Sequence, residues 1–214
     1  MRGMFNGVPA FNADIGAWNV SQVTSMQGMF TFDVAFNADI GGWDVSIVMD
    51  MKVMFNGARA FNADIGGWDV SKVTNMQVMF GVAESFNADI SGWDVSLVTE
   101  MRAMLREAAI FNAEFSGWDV SKVTDMREMF RSSALFDQNL CAWGEKIRAI
   151  ATDMFLRPDS PSQLDPILAS LPYENLCQGL CCNPGFSDVS GICVYLNECS
   201  DETDNCSANA ECSN

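Results

Sequence analysis

Large apolar side chains recur at a fixed interval of 25 through residues 1–155. Phe11, Phe36, Phe61, Phe86, Phe111 and Phe136 share one phase, and the six tryptophans, Trp18, Trp43, Trp68, Trp93, Trp118 and Trp143, share another. Met26, Met51, Met76, Met101 and Met126 hold a third phase, and the series from Met4 to Met154 holds a fourth. Self-similarity at a fixed period is the mark of a repeat architecture. A representative copy, Phe61 to Phe80, reads Phe-Asn-Ala-Asp-Ile-Gly-Gly-Trp-Asp-Val-Ser-Lys-Val-Thr-Asn-Met-Gln-Val-Met-Phe, and five variable residues follow it.

Two shorter periods alternate within a copy. Val73, Met76, Met79 and Phe80 fall at i, i+3, i+6 and i+7, which predicts one face of a short helix. Ser71 or Thr74 would cap its start by accepting from first-turn amides. Trp68-Asp69-Val70 has the alternation of a short strand, and Gly66-Gly67 before it marks a turn. One copy holds too few apolar side chains to offset the entropy of ordering 25 residues. Neighbouring copies must therefore share a core, as in a solenoid. The last copy, Cys141 to Ile150, loses the Asp-Val-Ser step while Met154-Phe155 keep register, as expected of a C-terminal cap.

The Phe61–Phe80 phrase resembles the repeat of BspA-like surface proteins, which belong to a broad leucine-rich-repeat-like class. The resemblance covers residues 1–155. It implies an α/β repeat solenoid, leucine-rich-repeat-like and right-handed, with a role in attachment or recognition at a surface. Phe, Met and Trp stand where true leucine-rich repeats carry Leu.

Composition changes beyond that point. Residues 156–176 contain Pro158, Pro161, Pro166 and Pro172 and read as a linker or capping loop. All eight cysteines lie at or after Cys141, and the chain has no His. Without His or Cys-x-x-Cys pairs, disulfides in an oxidising, extracellular or cell-surface setting are a better account than zinc. The start at Met1 lacks the apolar stretch of a signal peptide, and the end at Asn214 falls inside a cysteine-rich run, so flanking segments are expected on both sides.

Residues 177–214 read as a truncated, disulfide-rich EGF-like segment. Cys182-Asn183-Pro184-Gly185-Phe186 followed by Cys193 resembles the last loop of an EGF-like module. Asn197-Glu198-Cys199, Cys206 and Cys212-Ser213-Asn214 resemble the first half of a calcium-binding one. That resemblance implies the pairs Cys182–Cys193 and Cys199–Cys212, with Cys206 bonded to a residue beyond the end. It also implies calcium held by Glu198 and Asn214, with Tyr195 standing at the place of the first acid. The pairing of Cys141, Cys177 and Cys181 stays open.

Charge narrows the partners. The chain carries 28 acidic and 12 basic residues, and Pro158 to Asn214 holds nine acids with no Lys or Arg. Such a balance disfavours nucleic acid and anionic lipid. No apolar run is long enough to span a bilayer. Asn12, Asn37, Asn62, Asn87 and Asn112 are expected to form an inward amide ladder that satisfies turn backbone. Two further columns are acidic: Asp14, Asp39, Asp64, Asp89 and Glu114; and Asn19, Asp44, Asp69, Asp94 and Asp119. They read first as turn caps accepting local amides, with a row of cation sites as the alternative.

Catalysis has little to work with. His, the usual base, is absent, and repetition gives every carboxylate the same surroundings. We therefore expect no catalytic residue and no cofactor beyond calcium in the EGF-like segment. Asn19-Val20-Ser21 and Asn205-Cys206-Ser207 match the N-glycosylation pattern. The expected role is adhesion, by contact of the solenoid face with a protein or glycan. A structural building block forming a homo-polymer is the alternative. Specificity is expected in the five variable residues of each copy, such as Asn56–Ala60.

Overall fold

The computed structural model describes residues 1–115, 117–136, 138, 140, 143, 154, 186–189 and 192–195, the last two spans as backbone. Two compact units divide the chain, Met1–Ser170 and Leu171–Asn214.

In the first unit each copy of the repeat makes one turn of a coil, and consecutive turns lie on one another. The helix expected over Val73–Phe80 is not there; a ribbon of tight turns takes its place. Alternate amides close these turns: Met79 donates to the Met76 carbonyl, Gly81 to Val78 and Ala83 to Phe80, at 3.1–3.2 Å. The amides between them point along the stack. Met76, Val78, Phe80 and Val82 donate to the carbonyls of Glu100, Arg102, Met104 and Arg106 in the next turn, at 2.7–2.9 Å. None is left for the i−4 bonds of an α-helix.

The ribbon needs positive φ at two places per turn. Gly3, Gly28, Val53, Val78, Ala103 and Glu128 occupy one, and Gly7, Phe32, Gly57, Val82, Glu107 and Ser132 the other. A ribbon of four-residue turns, each closed between residues three apart, and a helix both bring residues three or four apart to one face. Met76, Met79, Phe80, Ala83 and Phe86 are accordingly all buried, and their spacing alone could not separate the two backbones.

The strand expected at Trp68–Val70 is also replaced. Trp68 donates its amide to the Ile65 carbonyl, closing a turn at Gly66-Gly67, and Val73 donates to Val70. Strand-like pairing occurs further on, as single parallel bridges linking Ser25, Asp50, Asn75, Glu100 and Asp125 from turn to turn. Among the described residues of this unit there is neither an α-helix nor a strand longer than such a bridge. The expected α/β content is thus corrected to stacked turns.

The core is a set of columns. Phe55 stacks on Phe61 within a turn at 3.8 Å between ring centres, and on Phe30 and Phe80 of the neighbouring turns at 5.6 Å. Trp68, Trp93 and Trp118 form a parallel column at 6.3–6.5 Å. One turn exchanges two sizes: Leu105 stands in the Phe column and Phe115 in the Ile column, both fully buried. The Phe115 ring then reaches Phe111, Phe130 and Phe136 at 5.7–5.8 Å, filling the space that Leu105 leaves.

Close stacking also constrains the turns before Trp43 and Trp68, although Ser91 is accommodated at the equivalent place before Trp93. A Cβ on Gly41 would meet the Asp64 carbonyl, and one on Gly66 the Asp89 carbonyl, each at 2.7 Å. In the second unit, β1 (Phe186–Val189) and β2 (Ile192–Tyr195) pair antiparallel, Phe186 opposite Tyr195 and Val189 opposite Ile192. Apart from Trp143, the expected cap at Cys141–Ile150 lies outside the described residues, as does the loop at 156–176.

Candidate functional surface

The repeated polar side chains are consumed by the scaffold. Four of the six tryptophans send the indole N–H to a carbonyl of the preceding turn: Trp43 to Ile15, Trp68 to Ile40, Trp93 to Ile65 and Trp118 to Ile90, all at 3.1 Å, whereas the buried Trp143 indole nitrogen has no partner. The asparagine ladder satisfies backbone as expected, but at the surface rather than inward. Asn37, Asn62, Asn87 and Asn112 each donate a backbone amide at 2.8 Å to the side-chain oxygen of the previous asparagine. Gln138 closes the series by donating to the Asn112 carbonyl and to its side chain. The threonine column is spent likewise: Thr74, Thr99 and Thr124 turn their hydroxyls to the carbonyl one turn back.

Both acidic columns cap turns. Asp14, Asp39 and Asp64 accept from the amides of Gly16, Gly41 and Gly66 at 3.0–3.1 Å, and Asp89 accepts from Ser91. Asp44, Asp69, Asp94 and Asp119 accept from the amide two residues on. In the second column, bonding by the serine two residues on, hydroxyl first and amide next, holds the carboxyls of Asp44, Asp69 and Asp94 below their usual range. They stay charged through the neutral and mildly acidic range. No group of three or more metal-ligating side chains occurs among the described residues.

A third capping column went unread in the sequence. Asp50, Asn75 and Asp125 accept the amides of Lys52, Gln77 and Arg127 at 2.9–3.0 Å. Ser25, Asp50, Asn75, Glu100 and Asp125 fill that column, so no one residue type marks it; Ser25, Asp50, Asn75 and Asp125 share only the power to accept an amide two residues on.

Bases are confined to part of each turn. Lys52, Lys72, Arg102, Lys122 and Arg127 lie between the second acidic column and the variable segment, together with Asp50, Glu100, Asp125 and Glu128, whereas neither acidic column contains a base. There Glu128 gathers Arg102 at 3.2 Å, Arg131 at 3.3 Å and Arg106 at 3.6 Å. Burial pushes the Glu128 carboxyl up, but the three guanidinium groups outweigh it and hold the pKa low.

Of the sequence-predicted site residues, Asn19 lies on the exposed surface. Its side-chain oxygen accepts from the Ser21 amide at 3.1 Å and the Ser21 hydroxyl at 2.7 Å, the same cap as its aspartate equivalents. Glu198, Asn214, Asn205, Cys182, Cys199 and Cys212 fall outside the described residues, and Cys193 is described only as backbone of β2. The five variable residues split. The third of each five is buried (Asp33, Ala58, Ala83, Ala108 and Ser133), while the fourth is exposed at Val34, Arg59, Glu84 and Ala134. A further changing column, Gln22, Ile47, Lys72, Leu97 and Lys122, is mostly exposed.

A family model described as a Mycoplasma protein of unknown function, DUF285, matches residues 1–89 and again 62–164. The chain belongs to this family. The two DUF285 matches together span the whole stack of turns and stop short of the β1–β2 hairpin. Neither the curated proteins nor the solved structures returned a match to this DUF285 chain.

Proposed function

We propose that the chain is a non-catalytic, extracellular surface or matrix protein that makes adhesive contact with another protein or a glycan. The contact surface is the outside of a BspA-like solenoid, and the EGF-like segment, with its two disulfides and calcium at Glu198 and Asn214, serves as a spacer. One observation carries this reading. The invariant polar side chains are spent on backbone, while the exposed side chains that change from turn to turn, such as Lys72, Leu97 and Lys122, bond to nothing that the scaffold needs. A surface of that kind varies without cost to the fold, as a recognition surface must.

The experiment is a binding screen of the labelled chain against glycans and matrix proteins. The comparison is a variant carrying Lys72→Ser, Leu97→Ser and Lys122→Ser. Binding by the natural chain, reduced in the variant at an unchanged melting temperature, supports the reading. Equal binding by both, or none by either, removes it.

A further inference from the structure

Three successive residues of the second turn depart from their columns. The first is Phe32. The Asp33 amide closes a tight turn on the Phe30 carbonyl at 3.2 Å, with Phe32 in its third place at φ 57°. That place favours glycine, and Gly7 and Gly57 hold it on the adjoining turns. Phe32 instead sets a ring there that is 56% exposed, more than any other aromatic side chain among the described residues. The second departure is Asp33, which stands where Ala58, Ala83 and Ala108 stand in later turns. It is 0% exposed, and neither carboxylate oxygen has a hydrogen-bond partner. The third is Val34, 40% exposed. A strained backbone and a buried, unpaired carboxylate each cost stability, and two exposed apolar side chains return none. Local rules broken together in so short a segment mark a place kept for contact.

We propose that Phe32 is the platform of a saccharide subsite, stacking on the apolar face of a neutral pyranose, with the Asn56 side-chain amide beside it bonding the sugar hydroxyls. The ring is held at an edge of the stack with a turn on each side. Its amide donates to the Asn56 carbonyl at 2.7 Å, and the Gly7 amide donates to the Thr31 carbonyl at 2.8 Å. The ring lies over Gly57, where a Cβ would stand 2.6 Å from Cδ1 and 3.1 Å from Cε1. Glycine therefore lets the ring settle against the backbone while the rest of it meets solvent. Asn56, immediately before Gly57, is half-buried, and its side chain makes no hydrogen bond among the described residues. Its side-chain oxygen lies over the next glycine, Gly81, 2.9 Å from where a Cβ would be. A ring face is weakly negative and attracts the weakly positive C–H groups of a sugar. A neighbouring amide both donates and accepts, as a hydroxyl requires.

The surroundings set the ligand class. Charges near these columns are already matched: Arg59 pairs with Glu84 at 3.3 Å, and Arg106 with Glu107 at 2.9 Å. An acidic or basic ligand would find no spare partner in them. The Thr31 hydroxyl is spent on the Val53 carbonyl at 2.6 Å. A protein partner needs a wider apolar patch, of about 800 Å² on each side, whereas Gly7, Thr31, Asn56 and Gly57 border this ring. One ring with one amide suits a single sugar unit. This subsite stands apart from the Lys72, Leu97 and Lys122 column and does not rest on it.

The test is a titration of the full chain, followed by amide NMR, with three neutral probes: the hexamers of β-1,4-glucose, β-1,4-mannose and N-acetylglucosamine. At least one should shift the amides of Phe32, Asn56 and Gly57. Phe32→Gly matches the adjoining turns and keeps the melting temperature or raises it, yet should bind that probe about 10-fold more weakly. Phe32→Trp should retain binding, and Asn56→Ala should weaken it about 5-fold. The variant carrying Lys72→Ser, Leu97→Ser and Lys122→Ser should bind the sugar as the natural chain does. No shift with any of the three hexamers would overturn the subsite, as would undiminished binding by a folded Phe32→Gly or loss of sugar binding in the triple variant. Adhesive contact through the Lys72 column would survive each of the first two results, because its own partner is judged by the triple variant alone.

Discussion

Several side chains here hold their places for a single hydrogen bond. Trp68 is the strongest case, because its indole both fills the core and satisfies the Ile40 carbonyl. Replacing it with Phe leaves that carbonyl buried and unpaired and opens a void, which should lower stability by about 2–4 kcal/mol in a denaturant titration. Asn62→Ala removes the acceptor for the Asn87 amide at an exposed position, so the loss should be smaller, about 1 kcal/mol. Val82 shows the opposite defect: a β-branched residue held at φ 56°, where Asn is tolerated far better. Val82→Asn should leave the melting temperature unchanged or raise it, by about 1 kcal/mol in stability. A marked loss would mean that the Val82 side chain contributes packing that its half-exposed position does not suggest.

At the level of the single turn, capping decides how stability responds to acid. Asp69 and Asp94 have pKa values below those of an unfolded chain, because the serine two residues on bonds the charged form. Their contribution is therefore complete above the unfolded value near 4 and is lost as pH falls through the lower folded value. Changing Asp44, Asp69, Asp94 and Asp119 together to Asn keeps every acceptor, as Asn19 already demonstrates. Circular dichroism melts should then show the natural stability at pH 7 with a weaker decline below pH 4. The turn is also where the sequence was least legible. Its length, its buried columns and the break at Gly66-Gly67 were all written in the spacing. Its backbone was not, since Val73, Met76, Met79 and Phe80 suit a helix and a ribbon of turns equally. Positive φ at Val53 and Val78, rather than at glycine, removed the usual clue. The capping role of the acidic columns could be read from Asp-x-Gly and Asp-x-Ser, whereas Asp33 looked like one more variable residue because burial has no letter.

Across the whole stack, register matters more than composition. Each turn bonds the next through residues 24, 25 and 28 positions apart, so a copy can be removed without a trace only if 25 residues go. Deleting residues 61–85 should give a chain that still melts cooperatively, a little below the parent. Deleting residues 61–84 should misplace every column beyond the cut and fold poorly or not at all. Equal stability of the two would contradict the inter-turn bonding. This indifference to copy number reaches back to the gene. Unequal recombination between any two copies joins the front of one turn to the back of another in phase. Its products would be longer or shorter proteins with every indole and amide still matched, giving a lineage a ready way to change the reach of its surface in whole steps.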